Sequence, residues 1–552
     1  MQHNKLKIGL FLDNELVSAW KYHAIERLLK SDFCEFVLSI FCADKSVASN
    51  NNSIAYHWFD RLDRFIFHPK PDAFAKKNIR TLINSYPQLT IKPISKDEFI
   101  SFNVEDLANI RAAKVDIFIK FGFGVLHKSI DKFSKYGVWC IFHSDESELK
   151  AGHAGFGKYS DHTRETKASL NILSTEEGPE LTLENTSYRT NPYSPTLNRH
   201  HYYWQSSFFL FRQIQKLYQL GEQVFFYMHK KKQQPIETDT TRLLVSADNV
   251  QCLYLLTCFI KRLAYRVFQR LFYQDHWFLL YQLGSTDKLL IEEFKVMMPP
   301  KNKLWADPHL VFENNRYYIF LEELEYVNNK GYLSVIEMDL KGNYKAPVKI
   351  IETPQHLSYP FIFKVEGNYY MIPESQENKQ IDLYQCRSFP YQWEFKKTLM
   401  KNVRAADSTL IFYNKKWWLF TAIAVSSEFT EYNEYSFDSE LFLFYADDFC
   451  TDQWQAHPLN PIVSDVKNAR PAGKLFYKNN KLYRPAQDCS VIYGYATNFN
   501  EISILSETDY KEESISSITP DWHESIKGTH TYSQEGELTI IDAFHYRSKY
   551  FF

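Results

Sequence analysis

The sequence predicts a multidomain chain: an amino-terminal α/β domain with a Rossmann-like sheet (1–206), a helical connector (207–274) and a carboxyl-terminal all-β propeller of five blades (275–552). Three observations predict it. Apolar runs alternate with a helical pattern between Leu6 and Phe142, apolar residues at helical spacing fill 207–274, and a strand-turn-strand unit recurs five times after Trp277. At 552 residues the chain also exceeds what one hydrophobic core usually serves.

In the first domain an apolar run from Leu6 to Leu12 ends at Asp13, a helical pattern follows (Trp20, Ile25, Leu28, Leu29), and a second run occupies Phe36 to Phe41, which is the βαβ signal. A later strand, DIFIKF from Asp116, leads through Phe121 into Gly122 and Gly124, and a further run, Val138 to Phe142, ends at His143. Open α/β sheets carry their ligands at strand carboxyl ends, so these termini are the places to look. A lone Gly-x-Gly is also what a tight strand-to-helix turn needs.

The connector is interrupted by the polar segment Lys230 to Thr241. Its most apolar part, Leu253 to Tyr273, contains Lys261, Arg262, Arg266 and Arg270, so it does not read as a span of about 20 uninterrupted apolar residues; lying flat on a membrane surface suits it. The connector helices also offer an interface for a homodimer.

The five units begin WADPHLVFENNRYYIFLEE at Trp305, LSYPFIFKVEGNYYMIPES at Leu357, AADSTLIFYNKKWWLFTA at Ala405, ARPAGKLFYKNNKLYRPAQD at Ala469 and GTHTYSQEGELTIIDA at Gly528. The aromatic pairs starting at Tyr317, Tyr369 and Trp417 stand 52 and then 48 residues apart, the length of a four-stranded blade. The first strand of a propeller blade lines the central channel, so Asp307, Tyr359, Asp407, Arg470 and His530 are expected to converge on one funnel. Glu322 and Glu374 occupy matching places at the end of a second strand, and Gln487 and Asp488 close the fourth unit. Acids and arginines at strand starts also serve as salt bridges and turn caps, so each residue has a structural reading beside the binding one.

Lys+Arg number 64 against Asp+Glu 66, a formal charge of −2, which supplies no field to gather nucleic acid or another polyanion. Aromatics make up 17% of residues and suit stacking on sugar rings as well as β-sheet cores. The 8 cysteines form no CxxC pair and have no zinc-site spacing with histidine; they read as buried thiols in a reducing compartment. With no export signal in MQHNKLKIGLFLD, the expected location is cytoplasmic. Neither GxGxxG nor GxxxxGK[ST] occurs, so dinucleotide and P-loop chemistry have no support, and no metal site is expected.

On WADPHL, HLSYPF, IPES, Asp407-Ser-Thr, WQAHPLNPI, ARPAG and YRPAQD, the second half resembles the five-bladed propellers of the arabinanase, invertase and levansucrase superfamily, and also the amino-terminal domain of plant glucosamine inositolphosphorylceramide transferase. The resemblance implies carbohydrate chemistry with Asp307 as base or nucleophile and the other carboxyl roles on Glu374 and Asp407. Tyr359, Arg470, His530, Gln487 and Asp488 would bind substrate. The superfamily's Arg-Asp-Pro tripeptide is absent, which leaves the choice between Glu374 and Asp407 open.

On DIFIKFGFGVL, GVWCIFHSDESELKAGHAGFG and ASLNILSTEEGPEL, the first domain resembles the formyltransferase domains of methionyl-tRNA and sugar N-formyltransferases. The resemblance places the catalytic histidine on His143, the catalytic acid on Glu176, a substrate contact on Asp145 and a pocket for 10-formyltetrahydrofolate at Phe121, Gly122 and Gly124. The asparagine place two residues before the histidine is Ile141, which cannot donate to an oxyanion, and the loop Arg-Gly reads Ala151-Gly152. Loss of one oxyanion donor typically costs about 100- to 1,000-fold in rate. Three functions follow as alternatives: a glycosidase-like protein of surface-polysaccharide or glycolipid metabolism, a folate-dependent formyltransferase acting on a nucleotide-linked amino sugar, and a non-catalytic glycan-binding scaffold.

Overall fold

The computed structural model describes residues 4–43, 54–92, 94–96, 99–123, 126, 132–144, 165–173, 181–232, 249–284, 293–424 and 437–550. Two compact units emerge, one of 1–186 with 190–262 and one of 187–189 with 263–552.

The first unit is built on a seven-stranded sheet with the spatial order Leu181–Arg189, Glu165–Leu173, Val138–His143, Ile117–Lys120, Leu6–Leu12, Cys34–Cys42, Gln88–Ile91. The last five of these pair in parallel, and Glu165–Leu173 runs antiparallel to Val138–His143. The two centre strands read as continuous apolar runs because both faces are covered, the pattern of a parallel sheet rather than of a half-exposed one. Phe11, Leu38, Ile40, Ile91, Ile110, Phe118 and Phe123 form one buried cluster between that sheet and the helix Val104–Ala112. The sequence-predicted alternation of strand and helix is therefore present, with helices Ala19–Leu29 and Ile54–Phe67 following the first two long strands. The connector is helical as expected, in two pieces, Phe209–Lys232 and Asn249–Phe272. Gly221, at φ +74°, breaks the first piece, since a left-handed residue cannot sit within a regular helix.

The second unit consists of five four-stranded sheets. Four are consecutive meanders: Lys303–Glu313 to Val348–Ile351, Ser358–Val365 to Gln392–Lys401, Ala405–Tyr413 to Gln455–Ala456, and Phe476–Lys478 to Tyr510–Ile518. The fifth joins both ends of the unit, with Lys295–Met297 and Tyr273–Leu283 as outer strands and Leu538–Ser548 and Tyr532–Glu535 as inner ones. Tyr273–Leu283 pairs antiparallel with Leu538–Ser548 along their full length, which closes the ring and leaves the fifth blade without an unpaired seam. Cores between blades are aromatic and aliphatic, for example Leu279, Trp305, Leu310, Tyr317, Ile336 and Ile540 between the fifth and first.

Candidate functional site

The inner strands of the first three blades share one irregularity. Register slips between Ala306 and His309, between Ser358 and Phe361 and between Ala406 and Thr409. Each slip is a β-bulge whose first residue is left-handed: Asp307 at φ +53°, Tyr359 at +43°, Asp407 at +52°. For a non-glycine residue this conformation is uncommon and costs on the order of 1 kcal/mol or more. The bulge re-aims the side chain and frees an amide from the ladder, and in all three blades that amide finds a carboxylate of the preceding blade. Asp307 N donates to Asp542 Oδ2 of the fifth blade (3.1 Å), Tyr359 N to Asp307 Oδ2 (3.1 Å) and Asp407 N to Glu374 Oε2 (3.1 Å).

The convergence expected of the five repeat starts is therefore present, and hydrogen bonds hold it. Arg470 Nε donates to Asp407 Oδ2 at 2.5 Å, and its other nitrogens stand 3.8 Å from Glu374 Oε2 and 3.6 Å from Asp438 Oδ1. Gln487 Nε2 also donates to Asp407 Oδ2, at 2.9 Å. His530 lies between two carboxylates, Nδ1 at 2.7 Å from Asp542 Oδ2 and Nε2 at 3.3 Å from Asp307 Oδ1, and Thr531 Oγ1 donates to the same Asp307 oxygen at 2.9 Å. The Tyr359 hydroxyl accepts from Gly473 N and meets Thr409 Oγ1, both at 2.8 Å. Asp307, Tyr359, Asp407, Arg470, His530, Glu374 and Gln487 are all buried.

Burial in this crowd sets the charges. Asp307 is pushed up to about 7 by desolvation, with His530 opposing and Glu322, Asp407 and Asp542 adding to the rise. Asp407 is pushed up to about 8 by desolvation, against Arg470 and with Glu374. Desolvation works against a charged His530, yet Asp542 and Asp307 outweigh it and raise the imidazole to about 9. Arg470 is likewise held charged despite burial, by Asp407 above all. Near neutrality the ring thus holds two fixed cations among carboxyls that still bind protons.

Two rings border this polar centre. Tyr493 lies under the Arg470 guanidinium (4.8 Å to the ring centre) and edge-on to His530 (5.3 Å), and it is partly exposed. Trp277 packs against His530 at 4.2 Å and meets Tyr493 edge-on at 6.5 Å. His356, also partly exposed, accepts from Gly331 N at Nδ1 (3.0 Å), which sets Nε2–H toward Glu322 Oε1 at 3.1 Å.

Asp488 stands apart from this ring: its carboxylate accepts from Ser490 N at 2.8 Å and caps the turn after its strand. In the first unit, His143 does end a parallel strand and is buried, stacked on Tyr203 (3.8 Å between centres), edge-on to Trp20 and 2.8 Å from Ser206 Oγ through Nε2. Phe121 packs edge-on against Trp20 and its carbonyl accepts from Lys21 Nζ at 2.8 Å. A Cβ on Gly122 would lie 2.3 Å from the Asp13 carboxylate, which accepts from Phe123 N. That glycine is needed for the close approach of Asp13. Gly124, Asp145, Glu176 and the Ala151-Gly152 loop lie outside the described residues.

Sequence reading did not single out Asp542, Thr531, Tyr493, Asp438 or His356. The first two stand inside the quoted fifth repeat, GTHTYSQEGELTIIDA, Thr531 directly after the repeat's aligned His530 and Asp542 one place before the column of Glu322 and Glu374. Tyr493 and Asp438 lie in segments without strand periodicity. Asp307, His530 and Asp542 also place three ligand-type atoms within 4.8 Å of one another, a group with the donor chemistry to hold a cation.

Residues 295–543 match the family described as Glucosamine inositolphosphorylceramide transferase 1, N-terminal. The chain is similar to Glucosamine inositolphosphorylceramide transferase 1 of Oryza sativa subsp. japonica, 33% identical over 210 residues that make up 38% of this chain and 27% of that protein. It is similar also to the Arabidopsis thaliana protein of the same name, 31% identical over 216 residues, 39% of this chain and 27% of the relative. The match thus spans about a quarter of these curated relatives. Among solved structures, a family 117 glycoside hydrolase from Zobellia galactanivorans aligns at TM-score 0.32 and 13% identity, over 50% of this chain and 91% of that one. The GH43 β-xylosidase/α-arabinofuranosidase CoXyl43 from a compost metagenome aligns at 0.34 and 12%, over 44% and 90%.

Proposed function

We propose that the propeller funnel binds a glycan and transfers or hydrolyses a glycosyl unit by acid–base chemistry, in surface-polysaccharide or glycolipid metabolism. The observation that carries this is the ring itself: three carboxyls, a guanidinium and an imidazolium, delivered by five successive blades and fixed by bulged amides. A structural salt bridge needs two such groups, and burying this many charges costs more than their pairing returns unless they serve a ligand.

The donors assign the roles. Thr531 Oγ1, Tyr359 N and His530 Nε2 all point at Asp307, so its carboxylate is the base or nucleophile. Arg470 and Gln487 both address Oδ2 of Asp407, which leaves Oδ1 for the proton that its raised affinity retains and that a leaving oxygen requires. Glu374 accepts from Asp407 N and Gln376 Nε2 with separate oxygens and acts as a positioning residue. Tyr493 supplies a stacking face for a sugar ring. The names of the plant relatives carry both an amino sugar and a glycolipid, the substrate class proposed here.

The test is product analysis by mass spectrometry after incubation with nucleotide-linked amino sugars, acidic oligosaccharides and glycolipid headgroups. Asp307→Asn and Asp407→Asn are each expected to lower turnover by about 100- to 10,000-fold with binding retained. Binding without turnover in the wild type would make the funnel a non-catalytic glycan-binding scaffold.

For the first unit, formyl transfer to an amino sugar has its support in the place of His143 at the carboxyl end of a parallel strand. Binding of a formyl-tetrahydrofolate analogue that is lost in His143→Ala would establish a sugar formyltransferase with an attached propeller.

A further inference from the structure

Glu322 and Glu374 hold matching places: each pairs with the residue just before the bulge of its own blade, Ala306 and Ser358. Glu374 uses that place to accept from the bulge amide of the next blade, Asp407 N. The equivalent amide for Glu322 is Tyr359 N, and Asp307 Oδ2 already accepts from it at 3.1 Å. Glu322 is thereby released from fastening one blade to the next. Its Oε1 faces His356 Nε2 at 3.1 Å instead, and among the described residues no donor reaches Oε2.

The backbone is shaped to seat this pair. Gly331 N donates to His356 Nδ1 at 3.0 Å, and the Gly331 carbonyl accepts from Leu357 N at 3.1 Å. A Cβ on Gly331 would stand 2.6 Å from Glu322 Oε1 and 2.8 Å from His356 Cε1, so glycine is what lets the strand approach both groups.

That seat fixes the charge. Burial opposes a charged His356, and Glu322, Glu374 and Asp307 outweigh it, raising the imidazole to about 9. With Nε2–H turned to Glu322, however, the nitrogen that would take the second proton is already filled by the Gly331 amide. The imidazole is neutral in this arrangement, and the pair carries the whole carboxylate charge. The Glu322 side chain is only 10% exposed, and no described lysine or arginine forms an ion pair with it. Arg470 is engaged with Asp407, Glu374 and Asp438, and His530 with Asp542 and Asp307. A buried carboxylate without a cation is costly, and a ligand that brings a cation removes the cost. A sugar hydroxyl would satisfy Oε2 and leave the charge; a protonated amine does both. The His356 side chain is 35% exposed, which opens the pair to a solute.

We propose that Glu322, seated by His356, accepts from the protonated amine of a sugar, so that the funnel selects sugars with a free primary amine over their N-acylated and hydroxyl counterparts. This selection rests on the funnel being a glycan site, as proposed above. Glu322 binds, and the proton transfers stay with Asp307 and Asp407.

Calorimetric titration of the full chain with short glucosamine oligosaccharides, their N-acetylated forms and the matching glucose oligosaccharides tests it. The wild type is expected to bind the free amine about 10- to 100-fold more tightly than either counterpart. Glu322→Gln keeps an acceptor for the imidazole N–H and removes the charge, and is expected to bring that ratio to within about threefold of unity. The wild type alone supplies a second measurement, available even where the variant does not fold. As pH rises and the amine loses its proton, the ratio is expected to fall, while titration of the ring's own groups is common to all three ligands and cancels from it. A wild type that binds all three ligands alike, or a preference that survives in Glu322→Gln or at high pH, overturns this selection and leaves the glycan site standing. A wild type that binds none of them overturns both.

Discussion

Tyr359 holds a left-handed backbone, a bulky ring with no exposure, and a hydroxyl that serves the Gly473 amide and Thr409 together. Tyr359→Phe keeps the packing and orphans that buried amide, so it is expected to lower stability by about 1–3 kcal/mol, read from the denaturant midpoint at unchanged slope. At this scale Asp307, Asp407, Arg470 and His530 were legible, because five repeats could be stacked and their first residues compared. Asp542 was not, because the acids Glu322 and Glu374 align with Ala543, one place further on, and the carboxylate that binds His530 sits out of that column. Asp488 stood next to Gln487 in the sequence, yet alternation along the strand turns neighbouring side chains to opposite faces, and Gln487 alone reaches Asp407.

The bulge is the element that makes a site out of a sheet. It left no mark in composition, since the left-handed positions are Asp, Tyr and Asp rather than glycine or asparagine, and local propensity would have assigned regular strands there. The fourth blade replaces the bulge with a looser entry in which Gly473, at φ +130°, brings its backbone against Tyr532 of the fifth blade. A Cβ there would lie 2.0 Å from the Tyr532 carbonyl oxygen, so Gly473→Ala is expected to cost about 3 kcal/mol or more and to show as a shifted unfolding midpoint. The blades themselves were readable from aromatic pairs at near-constant spacing, whereas the partner of Tyr273–Leu283 lies at the far end of the chain and no local pattern announces it.

Across the molecule, the buried charges tie stability to pH. Asp307, Asp407 and His530 all have folded-state proton affinities above those of the unfolded chain, about 7, 8 and 9. Each therefore contributes stability that is complete below its unfolded value and is lost as pH rises through the folded one. His309, buried beside Lys474 and lowered to about 3 by desolvation, works in the opposite sense: its contribution is complete above about 6.5 and falls away as pH drops toward 3. The propeller is expected to lose about 3–10 °C in Tm between pH 7 and 10, a slope that Asp407→Asn reduces; scanning calorimetry reads both. At this scale the composition was informative in what it excluded, a field for polyanions, while the concentration of charge in one buried ring was invisible to a net value of −2.

The central claim is that the funnel is a glycan site, and calorimetric titration of the full chain with acidic oligosaccharides and nucleotide-linked amino sugars tests it most directly, repeated on Tyr493→Ala. Tyr493 is partly exposed and carries no inter-blade hydrogen bond described for the ring, so its removal leaves the fold intact. The wild type is expected to bind and the variant to lose roughly 5- to 100-fold, the worth of one stacking face of about 1–3 kcal/mol. Equal affinity in the two proteins, or binding that survives in the first unit with the propeller variant unchanged, would contradict it.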